Sequence, residues 1–174
     1  MYFIREITKE DVALINAWRN DPELASYLGA PFAYVSQERD LAWYESYLKT
    51  RSTNVRCAIV RKADQKMIGV VYLLNINAVN RSAELGIMIG SREDRGNGAG
   101  RYAVEEILRH AFLDLNLHRV SLNVLQENTR AGRLYEAVGF RTEGVCRQAR
   151  FKNGRYCDLV MMAILQDEWR EHHG

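Results

Sequence analysis

Residues 95–100, RGNGAG, place three glycines at alternate positions. Glycine allows a sharp turn and lets the backbone approach a ligand without a Cβ in the way. Because a helical pattern begins directly after this run, its N–H groups add to the unpaired donors and the positive dipole end of that helix. Arg95 and Arg101 can add charge-assisted hydrogen bonds to phosphate oxygens. This glycine loop predicts a site for a phosphate or diphosphate.

A purely structural role for the glycine loop stays open at this point. A strand-to-helix connection can be rich in glycine without binding anything, and the loop alone does not distinguish between the two roles.

Two known phosphate-binding motifs are excluded. A Walker loop requires Gly-Lys-Ser/Thr, which does not follow here, and a dinucleotide fingerprint requires GxGxxG in a repeating βαβ series, whereas the spacing is GxGxG.

The glycine loop is predicted to lie between a strand and a helix of a mixed α/β domain. Apolar runs and alternating patterns predict strands at 2–7, 55–62, 67–75, 82–90, 120–124, 142–150 and 155–165. The three strands before the loop form an antiparallel meander. Asn153-Gly154 favours a two-residue type I′ turn, so the last two strands form a long hairpin.

Helical spacing of apolar residues predicts the elements between these strands. The apolar faces are Val12, Ile15 and Trp18; Leu41, Tyr44 and Leu48; Val104, Leu108, Ala111 and Leu115; and Ala131, Leu134, Tyr135 and Val138. A further short helix is expected before residue 28. The chain is expected to end in a frayed tail at His172-His173.

Composition restricts the class of protein. A chain of 174 residues with 47% hydrophobic and 26% charged residues fits one soluble domain over 1–174. A net charge of +2 without a dense Lys/Arg block gives no reason to expect nucleic acid. Cys57, Cys146 and Cys157 are widely spaced, which indicates reduced thiols rather than disulfides or a metal site. No signal peptide and no membrane-spanning apolar run are recognised, so we expect a cytoplasmic protein.

The glycine loop also matches the signature Q/R-x-x-G-x-G/A of the GNAT superfamily of N-acetyltransferases. Other segments resemble the same family in the same order: WRNDPE, AELGIMIG, LNVLQENTRAGRLYEAVGFRTEG and RFKNGRYCDLVMMAIL. The resemblance covers essentially the whole chain. It is greatest to the branch of ribosomal-protein N-terminal acetyltransferases and bacterial spermidine acetyltransferases. The fold it implies is a twisted, mostly antiparallel sheet, flanked by helices, with a splayed parallel pair of strands that binds acetyl-CoA.

The resemblance implies acetyl-CoA as co-substrate, without a metal, and a set of residues that hold it. In the family the loop amides hold the pyrophosphate, and the preceding strand lies beside the pantetheine arm. The residues implied here are Ile87, Met88, Ile89, Arg95, Gly96, Asn97, Gly98, Ala99, Gly100, Arg101, Asn128 and Arg133. Asn128 is also a suitable helix N-cap, and Arg133 can equally belong to a solvated basic face.

Two residues are implied to take part in catalysis. Tyr135 occupies the position from which a family tyrosine donates a proton to the departing thiolate, although its spacing also fits the apolar face of its helix. Glu84 lies on the strand before the loop, where a carboxylate can act as base or hold the amine. An exposed strand residue paired with Arg81 is the alternative for Glu84.

The acceptor stays open at this stage. The resemblance implies transfer of an acetyl group to a primary amine, either a small molecule or a peptide or protein N-terminus. A polyamine would need an acidic cleft. Carboxylates are available for it at Glu23, Glu38, Asp40, Glu45 and Glu84, but arginines in the same region offset their negative charge. A non-catalytic acyl-CoA-binding module is a further alternative. The long C-terminal hairpin supplies a broad β surface, and enzymes of the family that this chain resembles are often dimers. Both observations suggest a homodimer.

Overall fold

The computed structural model describes residues 1–173, which form a seven-stranded sheet packed against helices. The strands are β1 (Tyr2–Glu6), β2 (Val55–Arg61), β3 (Lys66–Asn77), β4 (Ser82–Ile89), β5 (Arg119–Leu125), β6 (Arg141–Lys152) and β7 (Arg155–Leu165). The helices are α1 (Val12–Arg19), α2 (Pro22–Tyr27), α3 (Gln37–Lys49), α4 (Ala99–Arg109), α5 (Thr129–Val138) and α6 (Gln166–His173). The mixed α/β class expected from the sequence is confirmed.

The order of strands in the sheet is β1-β2-β3-β4-β5-β7-β6. All neighbouring pairs are antiparallel except β4 and β5, which pair in parallel over a short length, from Ser82↔Arg119 to Glu84↔Ser121. Beyond Glu84, β4 stays paired with β3 as far as Ile89, and β5 stays paired with β7 as far as Leu125. The two strands therefore diverge, and a V-shaped opening interrupts the sheet between them.

Each face of the sheet carries its own apolar core. On one face, α4, α5 and α6 pack on the sheet, with Val104, Ile107, Leu108 and Val120 fully buried. On the opposite face, residues of α1, α2 and α3 pack on β2, β3 and β4. The strands are buried because successive residues alternate between these two cores, as period-two patterning requires. Within residues 1–173, none of the helices is long and apolar enough to cross a membrane.

Two expectations for the helices were wrong. The expected frayed tail is part of α6, because Trp169 packs on Phe112 with ring centroids 5.6 Å apart and is only 8% exposed. Leu115 does not continue the buried face of α4. The helix widens into a π-helical segment at His110–Asp114, in which the Leu115 N–H bonds the His110 carbonyl at 3.1 Å. The wider turn changes the direction in which the following side chains point. Leu115 is therefore exposed, and Leu117 packs in the core instead.

Candidate active site

The V-shaped opening between β4 and β5 is the floor of a cleft of about 830 Å³. One wall consists of residues 85–89 of β4, and another consists of residues 123–125 of β5. The glycine loop and α5 line one part of the cleft, and Leu24, Tyr27, Leu28 and Gly29, in and after α2, line another part. The divergence of β4 and β5 leaves one edge of β4 without a strand partner from residue 85 onward, so its alternate N–H and C=O groups can bind an extended ligand.

The glycine loop presents backbone donors to this cleft. Gly96 and Gly98 have φ values of +91° and +84°, which favour glycine. Gly98 is the N-cap of α4, and within residues 1–173 no side chain caps its first turn and no acidic residue lies in that turn. The first-turn N–H groups and the positive end of the helix dipole are therefore left for an anionic ligand.

The glycine loop also packs closely against α5. A Cβ at Gly100 would stand 3.2 Å from Leu134 Cδ1, and a Cβ at Gly96 would stand 2.6 Å from Arg130 Nη2. At Gly98, by contrast, a Cβ would meet no described atom within 4 Å, because this position faces the open cleft. The loop therefore fits a phosphate that approaches its backbone at Gly98.

Four arginines line the cleft: Arg95, Arg101, Arg130 and Arg133. Arg95 fixes the loop to the end of β4, since its Nε and Nη2 donate to the carbonyls of Ile89 at 3.1 Å and Gly90 at 3.0 Å. Arg101 pairs with Glu105 at 2.7 Å and is exposed. Nothing in the sequence marked Arg130 as a site residue. Only the folding of α5 against the loop brings its guanidinium to Gly96.

Most of the residues implied to hold the cofactor line the cleft. They are Ile87, Met88, Ile89, Arg95, Gly96, Gly98, Gly100, Arg101, Asn128 and Arg133. The remaining two do not line it. Ala99 is fully buried at the start of α4, and Asn97 is exposed, with Nδ2 donating to the Glu93 carbonyl at 2.7 Å. Binding of the pyrophosphate by the backbone N–H groups of these two residues stays a prediction.

Asn128, which lines the cleft, joins α5 to α2. Its side-chain oxygen accepts from the Ala131 N–H at 3.2 Å, which makes it the N-cap of α5. Its Nδ2 donates to the Tyr27 carbonyl, at the end of α2, at 3.1 Å. The expected capping role is therefore present, and a link from α5 to α2 is added to it.

Tyr135 lies on the cleft-facing side of α5 and is 8% exposed. Its ring packs edge-to-face on Phe140, with centroids 5.7 Å apart. Desolvation raises the pKa of its hydroxyl to about 12, so the phenol is neutral and can donate a proton at physiological pH. Among the described residues, none hydrogen-bonds to this hydroxyl, and it is open to the cleft.

Glu84 lies where β4 and β5 separate, opposite Ser121 in the last parallel pair. It is exposed and is not part of the cleft wall that contains Tyr135. By strand alternation it points to the face of the sheet that carries α1 to α3. It does not pair with Arg81, because Arg81 donates from Nε and Nη2 to the backbone and side-chain oxygens of Asn116, both at 2.8 Å.

Two buried acidic groups near the site hold structure. Asp94, at 3% exposure, accepts from Arg61 at 2.9 and 3.0 Å and from Ser91 Oγ at 2.7 Å, which anchors the segment before the glycine loop. Asp40, fully buried, accepts from Arg19 at 2.5 Å and from Asn16 at 2.7 Å. Neither carboxylate is available to a ligand without loss of these bonds.

Comparison with known proteins agrees with this geometry. The family model described as "Acetyltransferase (GNAT) domain" matches residues 2–141. The chain is 34% identical over 167 residues to spermidine N(1)-acetyltransferase of Vibrio cholerae, covering 95% of this chain and 94% of that protein. It is 34% identical over 106 residues, 61% of this chain and 57% of that protein, to YdaF of Bacillus subtilis, whose name assigns it provisionally to the ribosomal N-acetyltransferases.

A solved structure shares the whole fold. The crystal structure of spermidine N-acetyltransferase from Vibrio cholerae in complex with CoA and spermine superposes with a TM-score of 0.90 at 32% identity, covering 97% of this chain and 98% of that chain. The chain therefore belongs to the GNAT family of acetyltransferases. It is an acetyl-CoA-dependent N-acetyltransferase that transfers the acetyl group to an amine.

Proposed function

We propose that the acetyl group passes directly to a primary amine at the α2 end of the cleft, with Tyr135 as the general acid. The observation that carries this proposal is the Tyr135 hydroxyl, which is held by a buried ring, open to the cleft and without a hydrogen-bond partner among the described residues. Acetyl-CoA supplies the activated acetyl thioester. The glycine loop, the free edge of β4 and Arg130 fit its phosphates and its extended arm.

Transfer of an acetyl group from a thioester to an amine has three requirements. An alkylammonium group with a pKa near 10.4 must lose its proton, which costs roughly 4–5 kcal/mol near pH 7. Donors must face the carbonyl oxygen as negative charge develops, and free N–H groups on the edge of β4 are suitable. A proton must reach the departing sulfur, and a neutral phenol can supply it without placing a charge in an apolar pocket. Much of the remaining rate comes from holding both reactants in one cleft.

We propose Glu84 as the base or the anchor for the amine. Its support is its place at the fork of β4 and β5, on the opposite face of the sheet from α4. An amine that approaches from that face meets Glu84 before it reaches the V-shaped opening. Because Glu84 does not line the cleft with Tyr135, we assign it contact with the incoming amine, directly or through water, rather than with the leaving group.

A small-molecule or peptide amine is our first choice of acceptor. Asp94 is the only carboxylate that lines the cleft within residues 1–173, and it is held by Arg61. Asp40 is likewise bound to Arg19, and Glu23 pairs with Arg92. A second ammonium group of a polyamine would therefore compete with Arg61 for Asp94 in this cleft. Spermidine is the second candidate, because the Vibrio cholerae relative is named as a spermidine N-acetyltransferase.

A turnover assay with an amine panel tests this proposal. Purified protein is given acetyl-CoA with peptides, amino sugars, simple alkylamines or spermidine, and both free thiol and acetylated amine are measured. We expect thiol release that depends on a primary amine, with equal amounts of acetylated product. Thiol release at the same rate with and without amine would contradict the proposal, and no thiol release with any amine would favour the non-catalytic acyl-CoA-binding module.

Three properties of the whole chain are also proposed. We infer that residues 1–174 form one domain, supported by the single sheet that runs from β1 to β7. We infer a homodimer, supported by the outer edge of β6 and by exposed apolar residues on the hairpin, such as Phe151 and Tyr156. Light scattering that gave a mass near 20.1 kDa would contradict the dimer. A cytoplasmic location is supported by the free cysteines.

A further inference from the structure

A buried lysine at the end of β6 takes no part in the site described so far. Lys152 is 6% exposed, and its Nζ donates to the backbone carbonyls of Ala25 at 2.5 Å, Leu28 at 2.7 Å and Ala30 at 2.7 Å. These three bonds use all the donors of an ammonium group. Burial lowers the pKa of Lys152, and within residues 1–173 no carboxylate lies within salt-bridge distance of it.

An ammonium group buried in this way is costly unless its donors are satisfied. Lys152 is compensated by carbonyls at the end of α2, where the last turn of a helix lacks intrahelical partners for its C=O groups. Its three acceptors span only residues 25–30, so one side chain fixes the whole segment after α2. A single donor at this place would fix one carbonyl at most.

The segment that Lys152 fixes is part of the cleft wall. Leu24, Tyr27, Leu28 and Gly29 line the cleft, and the carbonyls bound by Lys152 belong to residues among and next to them. At its start, α2 is joined to the segment after β4 by the ion pair of Glu23 and Arg92. At its end, the Tyr27 carbonyl is joined to Asn128, after β5. Helix α2 therefore bridges the two diverging strands.

We propose that Lys152 is a positioning residue, which holds residues 25–30 in place as the wall against which the amine acceptor binds. This inference rests on the proposed function, since it concerns the amine end of the same cleft. The glycine loop is held separately, by Arg95 on the end of β4 and by Asp94 on Arg61. Because the glycine loop has these anchors of its own, we expect loss of the Lys152 bonds to displace residues 25–30 more than residues 95–100.

Three variants and two readouts test the role of Lys152. Lys152→Met keeps the aliphatic stem and removes the ammonium group, Lys152→Arg keeps the charge and several donors, and Lys66→Met makes the same change at an exposed lysine on β3. Because a displacement of about 1 Å can cost up to 10²-fold, we expect the Met variant to raise KM for the amine by about tenfold or more. KM for acetyl-CoA should change less than about twofold, and Lys152→Arg should restore much of the loss.

Hydrogen exchange of residues 22–31, followed by mass spectrometry, is the readout that needs no turnover. Lys152→Met should speed exchange in this segment and leave the peptide that contains the glycine loop unchanged. Global destabilisation would lower the active fraction, and so kcat, without a selective change in the amine KM. If Lys152→Met does not fold, Lys152→Gln takes its place with the same expected pattern.

Two results would overturn the role of Lys152. One is wild-type amine KM and wild-type exchange at residues 22–31 in the Met variant, and the second is an equal rise of both KM values. If the wild-type protein acetylates none of the panel amines, the proposed function fails. In that case faster exchange in the Met variant still supports the anchoring of residues 25–30, and unchanged exchange refutes it.

Discussion

The two ends of the cleft are built in different ways. The phosphate end is made mainly of backbone, from one short run of sequence that ends β4 and begins α4. The amine end is made of parts that are distant in the chain: α2, the residues that follow it, and Lys152, which is 127 residues from Ala25. One end depends on local conformation, and the opposite end depends on tertiary packing.

Because the two ends are built differently, they should be sensitive to different kinds of substitution. At the phosphate end, a change matters when it alters a positive φ or the charge presented to an anion. At the amine end, a change matters when it removes a proton donor or lets a wall move. If the comparison is right, variants at the two ends affect different kinetic constants.

Tyr135→Phe should give the largest effect. It keeps the ring and its packing on Phe140 but removes the hydroxyl that faces the cleft. We expect kcat to fall by about 10²-fold or more, in the usual range for general acid catalysis. Stability near neutral pH should change little, because the ring volume is kept. Thiol release with a productive amine measures this, provided that product release does not limit the rate.

A wild-type rate for Tyr135→Phe under those conditions would make Tyr135 a packing residue. The proton would then come from solvent or from another group. Such a result would not change the assignment of the glycine loop to the phosphates. It would remove Tyr135 as the proton donor.

Gly98→Asp should raise KM for acetyl-CoA by about tenfold or more, because a carboxylate at the N-cap of α4 repels phosphate. Gly98→Asn is the matched control, since Asn and Asp both adopt a positive φ more readily than most residues, are nearly equal in size and differ in charge. The Asn variant should lose less than the Asp variant. Equal losses would assign the effect to backbone strain, and no loss in either would remove Gly98 from the cofactor site.

Glu84→Gln should lower kcat/KM for the amine by about tenfold, the value of one charge-assisted hydrogen bond. The change keeps the size of the side chain and removes its charge. KM for acetyl-CoA should stay at the wild-type value, because Glu84 is not part of the cleft wall. An unchanged kcat/KM for every productive amine would make Glu84 an exposed strand residue without a role in acceptor binding.

The raised pKa of Tyr135 predicts a small dependence of stability on alkaline pH. The folded state holds the phenol proton up to about pH 12, whereas an unfolded tyrosine loses it near pH 10. The free energy of unfolding should therefore be fully present below pH 10 and decrease as pH rises toward 12. At pH 11 the loss is about 1 kcal/mol.

Urea unfolding at pH 9 and pH 11 measures this loss. The wild type should lose more stability between the two values than Tyr135→Phe does. That difference isolates Tyr135 from Tyr47, whose pKa is also raised to about 12. Equal losses in both proteins would mean that the Tyr135 hydroxyl is solvated in the folded state.

The contrast between the two ends also accounts for what could be predicted from sequence. The glycine loop was recognisable because its chemistry lies in consecutive residues, and the hairpin turn at Asn153-Gly154 and the strands and helix around the loop follow local patterns. Arg130 and Lys152 carried no such signal, because each acquires its partner only when distant elements pack together. The π-helical segment after α4 was missed for the same reason, since it depends on how Leu117 and Phe112 enter the core.

A calorimetric titration of acetyl-CoA measures whether the glycine loop and Tyr135 contribute separately to binding. The ligand is titrated into the wild type, Gly98→Asp and Tyr135→Phe under the same conditions. We predict that Gly98→Asp weakens binding by about tenfold or more, while Tyr135→Phe binds within about twofold of the wild type because its contribution arises in the transition state. Equal weakening in both variants, or a greater loss in Tyr135→Phe, would contradict the account.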